Sequence, residues 1–444
     1  MLKIYFFDNN MVMTSSIKNK IKKLTTSKLF ISCFFFCFLF LAGSYSVQVE
    51  KILFFYSCVC FLFLPVDESF YFFLFTRSFI CSNIDICQST FNAFVFIFIV
   101  KYIFGLIYKD YKINKNFLII LICFLLYSCI ITMFYRQSNN YEVIFYFPLF
   151  YLLFVLKDKI NFRKALDFLL IGVLTSVALS PLCLILPSFS YNCFLNSRYH
   201  AFHGNPNRLY MKTIFLLVSY SVLFLRKELA GFKFISIYVI LSALTILTLS
   251  KTGILMLILF SFIITIIYLK QDFKNHIEYV LYAILGLLVI SLIFQNQIFT
   301  IIQRFTSSNN NSLNSLFTGR LDIWIDYCKQ IFKNPITLLF GRGIFAKYAY
   351  IFEQDLARAP HNLYLYLIYF YGVVGIVFIW MMIREIFVNR QGFKFSFLNF
   401  LPLLYLLLEG LFDNIHTSFN IPMFAIAFAF LFLKNNPKKE ELKE

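Results

Sequence analysis

From residue 29 to residue 433 the chain alternates between long apolar runs and short polar breaks. A bilayer's hydrocarbon core takes about 20 apolar residues in helical form. The pattern therefore predicts an all-α polytopic membrane protein with about 12–14 transmembrane helices. The expected spans are 29–47, 52–66, 69–87, 91–108, 117–134, 142–156, 165–187, 208–225, 232–249, 253–269, 279–297, 361–383, 396–411 and 417–433. Residues 1–28 read as a cytoplasmic tail and 434–444 as a basic cytoplasmic tail. Between them, 29–433 is a single transmembrane domain whose two long outer loops are about 188–207 and 298–360.

Composition agrees with the pattern. The chain is 60% hydrophobic and 14% charged, against about 25% charged in soluble domains. A net charge of +18 would suit nucleic acid, but most Lys and Arg sit in short connections between apolar runs. That is the inside-positive distribution that sets orientation, so no nucleic-acid partner is expected. The same parity counts 69–87 as a span despite Arg77, because otherwise KDYKINKN would lie outside. Most of the 11 Cys lie in apolar runs, and there is no CxxC or Cys/His spacing suited to zinc. Cys81, Cys87, Cys193 and Cys328 fall in or near predicted outer segments.

The outer loops break the charge rule that the inner ones keep. Segment 298–360 holds Arg304, Arg320, Lys329, Lys333, Arg342, Lys347 and Arg358. The shorter loop holds Arg198, His200 and His203, with Arg208 just beyond, and a hairpin tip at 250–253 holds Lys251. Long loops also cross membranes regardless of charge. The pattern as a whole suggests an anionic ligand outside the membrane, since guanidinium groups pair with phosphate through two parallel bonds. Residues 320–333 predict an amphipathic helix with a stripe of Leu321, Trp324, Ile325, Cys328, Ile331 and Phe332, capped by Thr318 and stopped by Pro335. Such a helix suits the membrane surface. Arg320 in its first turn is either a solvated charge or a place where an anion binds. Gly341-Arg342-Gly343 allows a tight turn whose amides cradle an oxyanion, or a plain loop. His361-Asn362 follows Pro360 and opens a long apolar run, where a neutral imidazole is able to accept a proton from a hydroxyl.

Taken together, LTLSKTGILML, GRLDIW, the N-P and G-x-G turn and HN-x-x-L leading into G-x-x-G resemble the bacterial O-antigen ligase and O-antigen polymerase family. The resemblance is best over about 200–433. It implies a GT-C-like architecture in the bacterial inner membrane, both termini cytoplasmic and the active site periplasmic. It implies a metal-independent glycosyltransferase with no cofactor, whose donor is an undecaprenyl-pyrophosphate-linked oligosaccharide. Carried over by position, Arg320 contacts pyrophosphate and His361 is the base, with Lys251, Arg198, Arg208, Arg342, Arg358 and Asn362 as further substrate-binding groups. Lys251 stands where many members have Arg, which loses the bidentate fork.

The expected partners are the lipid-linked donor, a glycan or lipid A core acceptor, membrane lipids and a chain-length regulator. The polymerase is the favoured member, because the hairpin Lys and the divergent, Phe-rich chain suggest the more variable branch. The ligase is the alternative. A lipid-linked oligosaccharide flippase is the reading from another class, but it calls for charges near the membrane midplane. The chain offers only Arg77, Lys101, Glu409 and Asp413 for that role.

Overall fold

The computed structural model describes residues 28–79, 84–108, 113–135, 146–156, 159–185, 193–195, 198–271, 320–343, 350–351, 356–388, 395–413 and 421–433, with seven single helical positions between 285 and 303. In chain order the helices are α1 (Lys28–Gly43), α2 (Val47–Phe63), α3 (Val66–Thr76), α4 (Ile84–Ile107), α5 (Lys115–Tyr135), α6 (Tyr146–Val155), α7 (Phe162–Leu179) and α8 (Leu182–Ile185). A hairpin of β1 (Phe194–Leu195) and β2 (Arg198–Tyr199) precedes α9 (Pro206–Leu225), α10 (Gly231–Leu247) and α11 (Lys251–Gln271). There follow α12 (Arg320–Lys333), α13 (Pro335–Phe340), a second hairpin of β3 (Tyr350–Ile351) and β4 (Leu356–Ala357), then α14 (Leu363–Val388), α15 (Phe397–Glu409) and α16 (Ile421–Leu431). Six stretches among the described residues are long and apolar enough to cross a membrane: Ser89–Ile107, Lys115–Met133, Phe162–Ile185, Pro206–Leu225, Lys251–Lys270 and Leu363–Val388. The protein is thus an all-α, multi-pass membrane bundle.

Helix α9 is its centre. Seventeen of its 20 residues are buried, yet it is the least hydrophobic of the six spans. A helix enclosed by protein rather than lipid needs partners for its polar side chains, and these are present. Thr213 bonds Thr245 of α10 at 2.8 Å, and Tyr220 donates to Asp167 of α7 at 2.5 Å. The Lys212 ammonium donates to the carbonyl of Arg77, the C-cap of α3.

The early helices differ from expectation. The turn expected at 48–51 lies inside α2, because Ser46 caps that helix by accepting from the Gln48 N–H at 3.3 Å. In place of a span at 69–87 the described residues give α3, which has 11 residues. At 1.5 Å per residue that is about 16 Å, roughly half the hydrocarbon thickness. Pro65 sets its start, and residues 69–79 are all buried. Helix ends shielded from water leave carbonyls that need another partner. Lysines from neighbouring helices meet them. Lys212 serves the end of α3, while Lys101 of α4 donates to the carbonyl of Leu64, the C-cap of α2, and to Ser69 Oγ at 2.7 Å. Arg77 itself is buried, with its guanidinium against the rings of Phe73 and Phe91.

A second break falls within α14, where Gly372 has φ 61° and ψ −176°. The break frees three carbonyls. Arg342 N–H donates to Tyr369 O at 3.0 Å, Gly343 N–H to Phe370 O at 2.9 Å, and Tyr127 OH of α5 to Tyr371 O at 2.9 Å. A Cβ on Gly372 would sit 2.4 Å from Gly341 N, and one on Gly341 would sit 2.5 Å from Phe370 O. Both positions have positive φ, so glycine is required twice over.

Candidate functional site

Helices α9, α11 and α14 begin, and α10 and α15 end, at one end of the bundle. Their connections meet at Asp413, just past α15. This carboxylate is 7% exposed. Its Oδ1 lies 3.3 Å from His361 Nδ1. Its Oδ2 accepts from Asn207 Nδ2 at 3.1 Å and lies 4.0 Å from Arg320 Nη2. Arg320 Nη1 also donates to the carbonyl of Phe412. One residue further out, Asn207 Oδ1 accepts from Arg198 Nη2 at 3.0 Å, and Arg198 Nε donates to the carbonyl of Thr248, the C-cap of α10, at 2.9 Å. Three segments far apart in sequence, carrying Asn207, Arg320 and His361, thus close around one acid.

Local sequence explains each placement. Asn205 accepts from Asn207 N–H at 2.8 Å and caps α9, with Pro206 in its first turn. Asn362 caps α14, accepting from Tyr364 N–H at 2.9 Å and Leu365 N–H at 3.0 Å, and donates to Leu411 O at 3.0 Å. This cap ties the start of α14 to the turn that carries Asp413. His361 stands immediately before it at φ 47°, a left-handed conformation that histidine adopts more readily than most residues. The neighbouring backbone is clamped by α12: Trp324 Nε1 donates to Pro360 O at 2.9 Å and Tyr327 OH to Arg358 O at 2.8 Å. The His361 side chain is 39% exposed. Nδ1 is turned to Asp413, and Nε2 has no hydrogen-bond partner among the described residues.

The site brings together Arg320, His361 and Arg198 of the sequence-derived set, with Asn362 as a backbone anchor. Lys251 is the first residue of α11, three positions past the Thr248 carbonyl that Arg198 holds. Arg208 lies in the first turn of α9, and the cations around His203 include it. Arg358 is exposed and contributes its carbonyl to Tyr327. Arg342 lies against α14, its guanidinium 5.0 Å from the centre of the Tyr369 ring. The oxyanion cradle expected at Gly341–Gly343 is corrected: all three amides donate to protein carbonyls, those of Thr337, Tyr369 and Phe370.

Helix α12 spans 320–333 as expected, and Asp326 pairs with Lys329 at 3.4 Å. Its buried face is set by Ile323, Tyr327 and Ile331. Ile325 and Phe332 of the expected stripe are exposed, alongside Ile336 and Leu339 of α13. Thr318, Arg304 and Lys347 lie outside the described residues. Sequence reasoning missed Asn207 altogether and placed Asp413 and Glu409 only as transporter-type charges. Glu409 is fully buried and accepts from Tyr210 OH at 2.6 Å. Gly253 permits that arrangement, since a Cβ there would meet the Tyr210 ring at 2.9 Å.

Burial holds His200 and His203 below the usual histidine range. Lys212, His200 and Arg208 add to the effect at His203, and Arg198 adds to it at His200.

The fold and site define a multi-pass membrane protein with a polar, arginine-rich cluster at one end. The sequence model of the O-antigen ligase family matches residues 236–380, about a third of the chain. The match supports the O-antigen ligase and polymerase family, whose members are glycosyltransferase-like membrane enzymes. It contains Lys251, Arg320, Arg342, Arg358, His361 and Asn362, whereas Arg198, Asn207, Arg208 and Asp413 lie outside it. No curated protein and no solved structure matches the chain.

Proposed function

We propose that this protein is an O-antigen polymerase, an inner-membrane glycosyltransferase that joins undecaprenyl-pyrophosphate-linked oligosaccharide units on the periplasmic side. The observation that carries the reading is the His361–Asp413 pair at 3.3 Å, flanked by Arg320 and Arg198. A base oriented by a buried carboxylate, beside guanidinium groups, suits attack by a hydroxyl on a donor with an anionic leaving group.

The acceptor hydroxyl delivers its proton to His361 Nε2 as its oxygen bonds the anomeric carbon. The bond from that carbon to pyrophosphate breaks, and the electron pair leaves with the pyrophosphate. Asp413 accepts from the Nδ1–H and stabilises the imidazolium. Arg320 and Arg198, with Lys251 nearby, offset the growing charge on the leaving group. Stabilising that charge is the larger task, because the leaving group is already anionic.

A polyprenyl tail also has a place to lie. An apolar groove of about 480 Å³ begins at Leu363 and Tyr364, next to the site, and follows α14 past Leu367 and Met382 to Phe387. Lys101 and Lys212 disfavour a flippase, since both are engaged with helix ends rather than lining a pathway.

The ligase is the second reading, favoured by the description of the matched family. A gel profile of surface polysaccharide from a strain lacking this chain tests both. A core bearing one repeat unit and no ladder means polymerase. A bare core, with long glycan held on undecaprenyl pyrophosphate, means ligase. An unchanged profile sinks both.

A further inference from the structure

Strand β2 carries Arg198 into the Asp413 network, and its pairing partner is β1: Phe194 faces Tyr199 and Leu195 faces Arg198. A two-stranded ribbon has little stability of its own. Strand β2 is anchored by side chains, with Tyr199 OH 2.6 Å from Ser180 Oγ and Arg198 bonded to Thr248 and Asn207. Strand β1 presents both its side chains outward, Phe194 at 38% and Leu195 at 43% exposed. The residue before it is different. Cys193 is 1% exposed, is joined by a disulfide to Cys183 in α8, and accepts the His200 N–H on its carbonyl at 2.9 Å. The bridge therefore fixes β1 to the end of α7–α8, and β1 in turn fixes the register of Arg198.

We propose that the Cys183–Cys193 disulfide is a redox-set tether that holds Arg198 in place for transfer, so that full activity requires oxidation of this pair on the loop's side of the membrane. The proposal rests on the transferase reading above. In the oxidation each thiol loses a proton and the two sulfurs join. The two electrons pass to an oxidising protein disulfide, which leaves as a dithiol. Such oxidants belong to extracytoplasmic compartments, where the loop is expected to lie. Arg198 is a positioning and charge-stabilising group, and the disulfide acts through it.

The test uses the full chain in lipid nanodiscs, either oxidised or reduced with a phosphine and then alkylated. Hydrogen exchange of residues 194–200 reads the tether without any activity: reduction should speed exchange there and leave α9 unchanged. Equal exchange in the two forms overturns the proposal. Transfer from a polyprenyl-pyrophosphate glycan reads the consequence. Reduction should lower kcat/KM by about tenfold, the scale of one charge-assisted hydrogen bond. Cys183→Ser with Cys193→Ser should match the reduced enzyme and be indifferent to reductant. In Arg198→Gln, which starts low, reduction should cause no further loss. A tenfold loss that persists in Arg198→Gln overturns the route through Arg198. An oxidised wild type that transfers nothing counts against the transferase reading, while the exchange result still decides the tether.

Discussion

Four cations make the same first contact in two different regions. At the ends of the early helices, Lys101 and Lys212 donate to the C-cap carbonyls of α2 and α3. At the end of the bundle, Arg198 donates to the C-cap carbonyl of α10, and Arg320 to the Phe412 carbonyl just past α15. In each case a positive charge meets the negative end of a helix. The difference lies in what remains. An ammonium is a point charge, whereas a guanidinium has further N–H groups in a fixed plane. Those reach Asn207 and Asp413, and through Asp413 the histidine. A charge in a membrane bundle is thus first an answer to an unpaired carbonyl, and a further partner that leads on to other ionisable groups is what makes it part of a site.

The largest loss is expected at His361 and Asp413. His361→Ala, or Asp413→Asn with the fold retained, should lower transfer by roughly 10²- to 10⁴-fold, the range for a lost general base. Expression and membrane insertion should persist, and normal transfer would remove His361 from the mechanism. Arg320→Lys keeps the charge but not the fork. We expect about a tenfold fall in transfer, read as kcat/KM against donor. Lys101→Met sharpens the contrast, because it should destabilise by about 1–3 kcal/mol through an unpaired carbonyl. Thermal unfolding in detergent measures that loss, and transfer per folded molecule should not change. A kinetic defect in Lys101→Met would erase the distinction between the two regions.

The smallest effect concerns pH. His200 and His203 have depressed pKa values in the fold, so the unfolded chain binds more protons. Their contribution to stability is full above about pH 6.5, the unperturbed histidine value, and is lost as pH falls below it. Unfolding temperatures at pH 7.5 and 5.5 check this, and His203→Gln should narrow the gap between them.

Legibility in the sequence followed the range of the forces. Helix α12 was readable to the residue, because its apolar spacing and its proline stop are local signals. Its buried face was not, because the docking of Trp324 and Tyr327 on the 358–360 backbone depends on α14. The short early helix was hidden: 69–79 is rich in Phe, as a span would be, and what encloses it comes from helices far along the chain, including α4, α7 and α9. The Gly341–Gly343 motif suggested an anion nest because glycines free backbone amides. What sequence could not show was the partner, a set of carbonyls released some 30 positions later by Gly372. Arg320 and His361 were found by charge and position, but the acid that joins them comes from beyond the matched stretch.

The pairing of Gly341–Gly343 with the break in α14 has a consequence for how this protein tolerates change. Gly343 is fastened to α14 on one side, and Arg358 and Pro360 are fastened to α12 on the other. Chain inserted between β3 and β4 should alter neither fastening and should leave His361 where it stands. Length can thereby vary in one interval of the chain without moving either His361 or Asp413.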